Sequence, residues 1–160
     1  MTFQISNLRV LAIALFMMAA VSVNAQQQSS EDILNSIAQL KRVEAMYPDS
    51  ISPKYQMALQ SLNYSVMNPH APQTENLLAE TEQTINKIEK MKGADMSDVC
   101  TLRGFLYMVR IVQDPAQNGQ RYYLTVMQNF EKALKLNPQN QLASQLQNKF
   151  LEGMSKAMGK

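Results

Sequence analysis

Six segments of the chain place apolar residues at the three- and four-residue spacing of an amphipathic α-helix. The first of them contains Ile33, Ile37, Leu40 and Val43. Residues that stop helices separate the segments, namely Tyr47-Pro48, Asn68-Pro69, Gly93, Asp114-Pro115 and Asn137-Pro138. No segment alternates apolar and polar residues over the length of a strand, so we do not expect a sheet. The pattern predicts an all-α fold of about six helices, and the short connections predict three antiparallel hairpins.

The sequence also predicts where individual helices begin and end. Ser29 followed by Asp32 is typical of a capping box at the start of the first helix. Gly93 predicts the stop after a third helix over residues 74–91. The other predicted starts are Ser52-Pro53 as N-cap and first residue of the second helix, Ser97 as N-cap of the fourth, residues 116–119 as a connection before the fifth, and Asn140 as N-cap of the sixth.

The first 25 residues have the three regions of a secretory signal peptide. Arg9 precedes an apolar run over residues 10–21, and Val23-Asn24-Ala25 resembles a small-residue cleavage point. The run is shorter than the about 20 apolar residues that span a bilayer, and no cysteine follows it for attachment of a lipid. The alternative is a retained N-terminal anchor.

We therefore expect an exported protein, located in the periplasm or secreted, without a stable membrane anchor. Its predicted parts are a signal peptide at residues 1–25, a flexible lead-in at residues 26–30 and a single helical domain at residues 31–160. This length is enough to bury one core.

The net charge argues against a nucleic acid or a membrane surface as partner, and the cysteine content excludes a disulfide within the chain. The full chain has a net charge of +2, which falls to +1 when Arg9 is removed with the signal peptide. The mature chain therefore lacks the basic excess of nucleic-acid-binding proteins, and no polybasic run favours a membrane surface. Cys100 is the lone cysteine and cannot close an intrachain disulfide. Its neighbours Val99 and Leu102 favour burial over an intermolecular thiol.

No grouping of residues predicts a catalytic centre. His70, the only histidine, lies in a proline-flanked linker without a cysteine or carboxylate at metal-ligand spacing. Glu80 and Glu82 are two residues apart and diverge around a helix. We interpret the acidic start and basic end of the third helix as a solvated face that complements the helix dipole. We expect no enzyme activity, no cofactor and no metal site.

Residues 97–138 contain the spacing of a known helical repeat. Gly104 and Tyr107 have a Gly-x-x-Tyr spacing, and Phe130, Ala133 and Pro138 follow at the spacing of a second helix. The combination resembles one tetratricopeptide repeat, in which small residues let two helices approach closely and proline ends the second helix. The resemblance implies a right-handed stack of helical hairpins. Because Gly104 and Ala133 are 29 residues apart, more than in that family, the helices or their connection must be longer here.

A second resemblance covers most of residues 31–145. Its elements, in order, are Tyr47-Pro48, Pro53-x-Tyr55-x-x-Ala58, Leu102-Arg103-Gly104-Phe105 and Asp114-Pro115. They are similar to those of a group of uncharacterised exported tetratricopeptide-like proteins of Gram-negative bacteria. This resemblance implies the same helical class and export, and it implies no activity.

Stacked helical hairpins imply a concave surface that binds protein. The aromatic and basic residues that we expect there are Tyr107, Arg110, Arg121, Tyr122 and Tyr123. Neighbouring residues of a helix diverge by about 100°, so at most one of Tyr122 and Tyr123 is central to the core. The alternative is that both pack at the hairpin interface.

We therefore expect a non-enzymatic protein-binding or scaffold module with a protein or peptide partner. Two other functions stay open: a small-molecule carrier and an assembly subunit of an envelope complex. An apolar stripe that ends in Met154 and Met158 favours self-association through the sixth helix.

Overall fold

The computed structural model describes residues 29–157, which form six α-helices. They are α1 (Ser30–Met46), α2 (Ile51–Met67), α3 (Thr74–Lys90), α4 (Met96–Gln113), α5 (Pro115–Leu136) and α6 (Gln141–Ala157). The helices account for 84% of the described residues, among which there is no β-strand. The predicted all-α fold of six helices is confirmed. The predicted signal peptide, residues 26–28 of the lead-in and Met158 lie outside the described residues.

Three predicted helix signals are confirmed by the backbone and its hydrogen bonds. Ser29 Oγ accepts the N–H of Asp32, and the Asp32 carboxylate accepts the N–H of Ser29, which closes the capping box. Gly93 has a φ of +84°, the left-handed conformation that commonly follows a helix end. Asn140 Oδ1 accepts the N–H of Ala143 at 3.0 Å and caps α6. Because α1 begins at Ser30, the last two residues of the predicted lead-in are ordered as cap and helix.

The predicted start of α2 is wrong. The helix begins at Ile51, so Ser52 is its second residue and Pro53 its third. Proline fits at this position because the N–H groups of a helix's first turn have no acceptor within the helix. The buried ammonium of Lys54 donates to the carbonyl of Pro48 at 2.5 Å and holds the connection before α2.

The predicted starts of α4 and α5 are also wrong. Asp95 caps α4, since its carboxylate accepts the N–H of Ser97 at 2.7 Å. Asp114 caps α5, which begins at Pro115, so residues 116–119 are helical and do not form a connection. Proline's fixed φ suits the first position of a helix, which lets the chain reverse here over a single residue.

The most extensive helix contact joins α4 and α5, which run antiparallel. Gly104 faces the fully buried ring of Phe130, and a Cβ added at Gly104 would lie only 2.7 Å from Phe130 Cε1. Ala133 is also fully buried, and its carbonyl accepts the Ser97 hydroxyl at 2.8 Å. The long spacing between Gly104 and Ala133 therefore arises from helices of 18 and 22 residues, with only Asp114 between them.

The main hydrophobic core is centred on α4. Buried side chains of α2, α3, α5 and α6 pack around it. A smaller cluster joins α1 to α2 and α3 through Ile33, Ile37, Tyr64 and Leu77. Within residues 29–157, no helix combines the length and the apolar character needed to cross a membrane.

Candidate binding groove

One face of α4 remains half-exposed although most of this helix is buried. Its side chains are Arg103, Tyr107 and Arg110, spaced by four and three residues, which places them in a row along the helix. The other positions are covered because α2, α5 and α6 pack on them. The row is bordered by α3 on one side, through the ion pairs of Arg103 and Arg110, and by α5 on the other, through the contact of Tyr107 with Tyr122.

Acidic residues of α3 pair with both ends of this row. Arg103 Nη2 donates to Glu89 Oε2 and to Asn86 Oδ1, each at 3.0 Å. Arg110 Nη1 contacts both carboxylate oxygens of Glu75, at 2.7 and 2.6 Å. The hydrogen bond from Arg110 lowers the pKa of Glu75, because it favours the ionised carboxylate. Both guanidinium groups are thus engaged within the chain.

A depression of about 100 Å³ lies between these two ion pairs. Its lining residues are Glu82, Ile85 and Asn86 from α3 and Arg103, Leu106 and Tyr107 from α4. Glu82 is exposed, and its carboxylate forms no ion pair or side-chain hydrogen bond with any residue from 29 to 157. The depression therefore combines a carboxylate that has no ion-pair partner in this range with Tyr107 as a neighbour.

The α5 side of the face is aromatic and basic. The rings of Tyr107 and Tyr122 have their centroids 5.0 Å apart and are inclined by 40°. The exposed guanidinium of Arg121 lies 5.0 Å from the centroid of the Tyr122 ring, a cation–π distance. We use the name α4 groove for the depression together with Arg121 and Tyr122.

The structure brings together three of the aromatic and basic residues singled out in the sequence, namely Tyr107, Arg121 and Tyr122. Arg110 lies on the same row but is bound to Glu75. Tyr123 points elsewhere, since its ring lies 5.6 Å from that of Phe150 in α6. Adjacent positions of α5 therefore serve different neighbours, as the angle between successive helical residues requires.

The residues of the repeat-like pattern lie beneath and beyond the groove. Gly104 and Phe130 set the close approach of α4 and α5, and Tyr107 follows Gly104 by less than one helical turn. This approach brings the Tyr107 and Tyr122 rings together. Pro138 is exposed and directly follows Asn137, the C-cap of α5. Pro138 therefore contributes to the helix end and not to the groove.

The acidic side of the groove is not among the features predicted from the sequence. Glu75, Glu82 and Glu89 recur every seven residues, and Arg103 and Arg110 have the same spacing. Seven residues are close to two helical turns, so each set lies along one face. The matching periods are the available signal, whereas the acidic start and basic end of α3, taken alone, indicate only a solvated face. Only the register between α3 and α4 decides which glutamate meets an arginine.

Of the residues considered for catalysis, only Glu82 lines this groove. His70 is exposed in the connection between α2 and α3. Cys100 is buried, and burial raises the pKa of its thiol, which keeps it in the weakly nucleophilic protonated form. Among residues 29–157, no group of three or more His, Cys, Asp and Glu side chains could hold a metal ion.

A polar cluster joins the start of α6 to the start of α4. The Asn140 amide donates to Ser97 Oγ, Asp98 Oδ1 and Thr101 Oγ1 at 2.9, 3.1 and 3.2 Å. A second, more open depression of about 250 Å³ lies beside it, formed by residues around Pro138 and Gln145. Because the Asn140 side chain is fully used in capping and in this cluster, we interpret the cluster as structural.

No protein-family model matches the chain, and neither a curated protein nor a solved structure matches it.

Proposed function

We propose that this chain is an exported, non-enzymatic module that binds a polypeptide partner in the α4 groove. The observation that carries the proposal is the pair of half-exposed tyrosines, Tyr107 and Tyr122, placed between the free charges of Glu82 and Arg121. The proposed export rests on the signal-peptide pattern of residues 1–25. The proposed tetratricopeptide-like class rests on the spacing of Gly104, Tyr107, Phe130, Ala133 and Pro138.

Tyrosine side chains are suited to recognition of a polypeptide. They offer a large apolar area with only two rotatable bonds, so little conformational entropy is lost on binding. Here the mutual contact of the rings at 5.0 Å and the Arg121 guanidinium over Tyr122 restrict them further. Arg121 keeps hydrogen-bond donors free for a carboxylate of the partner, because its contact with the Tyr122 ring is a cation–π interaction and involves no hydrogen-bond acceptor.

The size of the depressions favours a polypeptide over a small molecule. Sites for small-molecule ligands usually have volumes of about 300–1,000 Å³. The two depressions described above have volumes of about 100 and 250 Å³. A partner that lies across the surface and inserts single side chains needs no larger cavity. This is the reason that we place the peptide-binding function ahead of the carrier function.

The proposal can be tested with a randomised peptide library displayed on phage and panned against residues 26–160. We expect enrichment of specific peptides whose synthetic forms bind the wild-type chain and lose binding to the double variant Arg121→Ala, Tyr122→Ala. Circular dichroism establishes whether this variant remains folded.

The matched control is the double variant Arg42→Ala, Tyr47→Ala, which removes the same two residue types from an exposed part of α1 and its end. Binding should be unchanged in this control. Equal binding by a folded Arg121→Ala, Tyr122→Ala variant would move the site away from the groove. Failure to enrich any peptide, together with saturable binding of a small molecule from an envelope extract, would favour the carrier function.

A further inference from the structure

The charges of α3 and α4 are matched at two positions and unmatched at a third. α3 carries Glu75, Glu82 and Glu89 at equal intervals, while the antiparallel α4 carries Arg103 and Arg110. The outer glutamates pair with the two arginines at 2.6 and 3.0 Å. The middle glutamate, Glu82, lies opposite Leu106 and Tyr107 of α4, which line the same depression.

None of the guanidinium groups in or beside the groove forms an ion pair with Glu82. The Arg103 guanidinium borders the depression, but it donates to Asn86 and Glu89. The Arg110 guanidinium is held by both oxygens of Glu75. Arg121 lies on the α5 side, over the Tyr122 ring. The α3 side of the groove therefore has one negative charge in excess, and Tyr107 lies next to it.

A carboxylate beside an aromatic ring is a favourable environment for a cation. The carboxylate supplies charge-assisted hydrogen bonds, and the ring supplies a cation–π interaction. A volume of about 100 Å³ corresponds to about three water molecules of liquid, enough for the head of one long side chain. An arginine or lysine side chain meets these requirements, since its charged head can reach Glu82 while its stem extends over the half-exposed Tyr107.

We propose that the polypeptide bound by this chain inserts a basic side chain, arginine or lysine, between Glu82 and Tyr107. This inference rests on the proposed peptide-binding function and names the chemistry of its partner. In the complex, the basic side chain of the peptide pairs with the Glu82 carboxylate, and the rest of the peptide crosses the Tyr107 and Tyr122 rings toward Arg121. Opposite charges at the two ends of the groove would then fix the direction in which the peptide lies.

The test uses the peptides enriched in the display experiment. We expect the enriched sequences to share a lysine or arginine. A synthetic peptide in which that residue is replaced by its neutral isostere, citrulline for arginine or norleucine for lysine, should bind about tenfold more weakly. The Glu82→Gln variant should show the same loss with the original peptide. The neutral peptide should bind the wild type and Glu82→Gln equally, because the interaction is already absent.

The matched control is Glu80→Gln, on the same helix. Glu80 is bonded to Lys41 of α1 at 2.6 Å and faces away from the groove. This control should leave the affinity unchanged. Enriched peptides without a shared basic residue, or equal affinity of the original peptide for the wild type and Glu82→Gln, would overturn the inference while leaving the proposed function standing. Enrichment of no peptide would overturn both.

Discussion

Replacing Gly104 with alanine tests the close approach of α4 and α5. The added Cβ would lie 2.7 and 2.9 Å from Cε1 and Cδ1 of Phe130. Carbon atoms pack best at about 3.5–4.0 Å, so the ring would have to move by about 1 Å. Phe130 has no exposed surface and therefore no free direction in which to move. The substitution must separate the helices or force the ring out of its rotamer.

Two effects of opposite sign determine the magnitude. Overpacking a core costs about 1–3 kcal/mol, whereas alanine is favoured over glycine by about 1 kcal/mol inside a helix. The distance from the new Cβ to the ring is about 1 Å too short, and the ring is fully buried, so the overpacking cost lies in the upper part of this range. We therefore expect Gly104→Ala to lower the free energy of unfolding by about 1–2 kcal/mol, with a fall in Tm of about 3–8 °C. Urea and thermal unfolding followed by circular dichroism measure both quantities.

A double-mutant cycle with Phe130→Leu isolates the contact. Leucine removes the ring atoms that the new Cβ would meet, so in this background Gly104→Ala should be neutral or stabilising by up to about 1 kcal/mol. An increase in the free energy of unfolding for Gly104→Ala in the wild-type background would refute the close approach, because helix propensity alone would then be acting. An equal effect in both backgrounds would refute it as well.

Three further predictions concern other parts of the fold. Ala133→Leu should lower the free energy of unfolding by about 1–3 kcal/mol, since Ala133 is fully buried at the α4–α5 contact; an unchanged Tm would contradict this packing. Asn140→Ala should lower the free energy of unfolding, measured in urea, by about 2–4 kcal/mol, because the substitution removes both the cap of α6 and the amide that bonds to α4. A loss below about 0.5 kcal/mol would mean that the polar cluster around Asn140 does not contribute to stability. Burial, with smaller contributions from two carboxylates, raises the pKa of Tyr55 from 10.0 to about 12. As the pH rises above 10, Tyr55 therefore loses its proton in the unfolded protein before it does so in the folded protein. The folded state loses stability between pH 10 and about pH 12 for this reason. Tyr55→Phe should therefore lose less stability than the wild type between pH 9 and pH 11.

The helices themselves could be predicted because their signals are local. Apolar residues at helical spacing need only a partner surface, and proline or glycine ends a helix wherever it occurs. The Ser29 capping box, the turn at Gly93 and the Asn140 cap follow from a few consecutive residues for the same reason. Burial of Cys100 was also predicted from its apolar neighbours.

The wrong starts of α2, α4 and α5 share a physical cause. Each has more than one residue that can cap or begin a helix, and local preference does not choose between them. In α4, the Ser97 hydroxyl donates a hydrogen bond to the Ala133 carbonyl of α5, and Asp95 caps the helix instead. In α5, the chain reverses at Asp114 alone, because the α4–α5 contact holds the two helices together immediately beyond it.

The sequence by itself determined an all-α fold, its six helices and most of the aromatic and basic residues that line the groove. The tertiary structure alone decided that Tyr122 meets Tyr107 while Tyr123 meets Phe150. It also decided that Arg103 and Arg110 are bound to glutamates and that Glu82 between them is not. These outcomes depend on the register of one helix against another. That register is fixed by packing between residues far apart in the chain, such as Gly104 against Phe130, and no local sequence signal contains it.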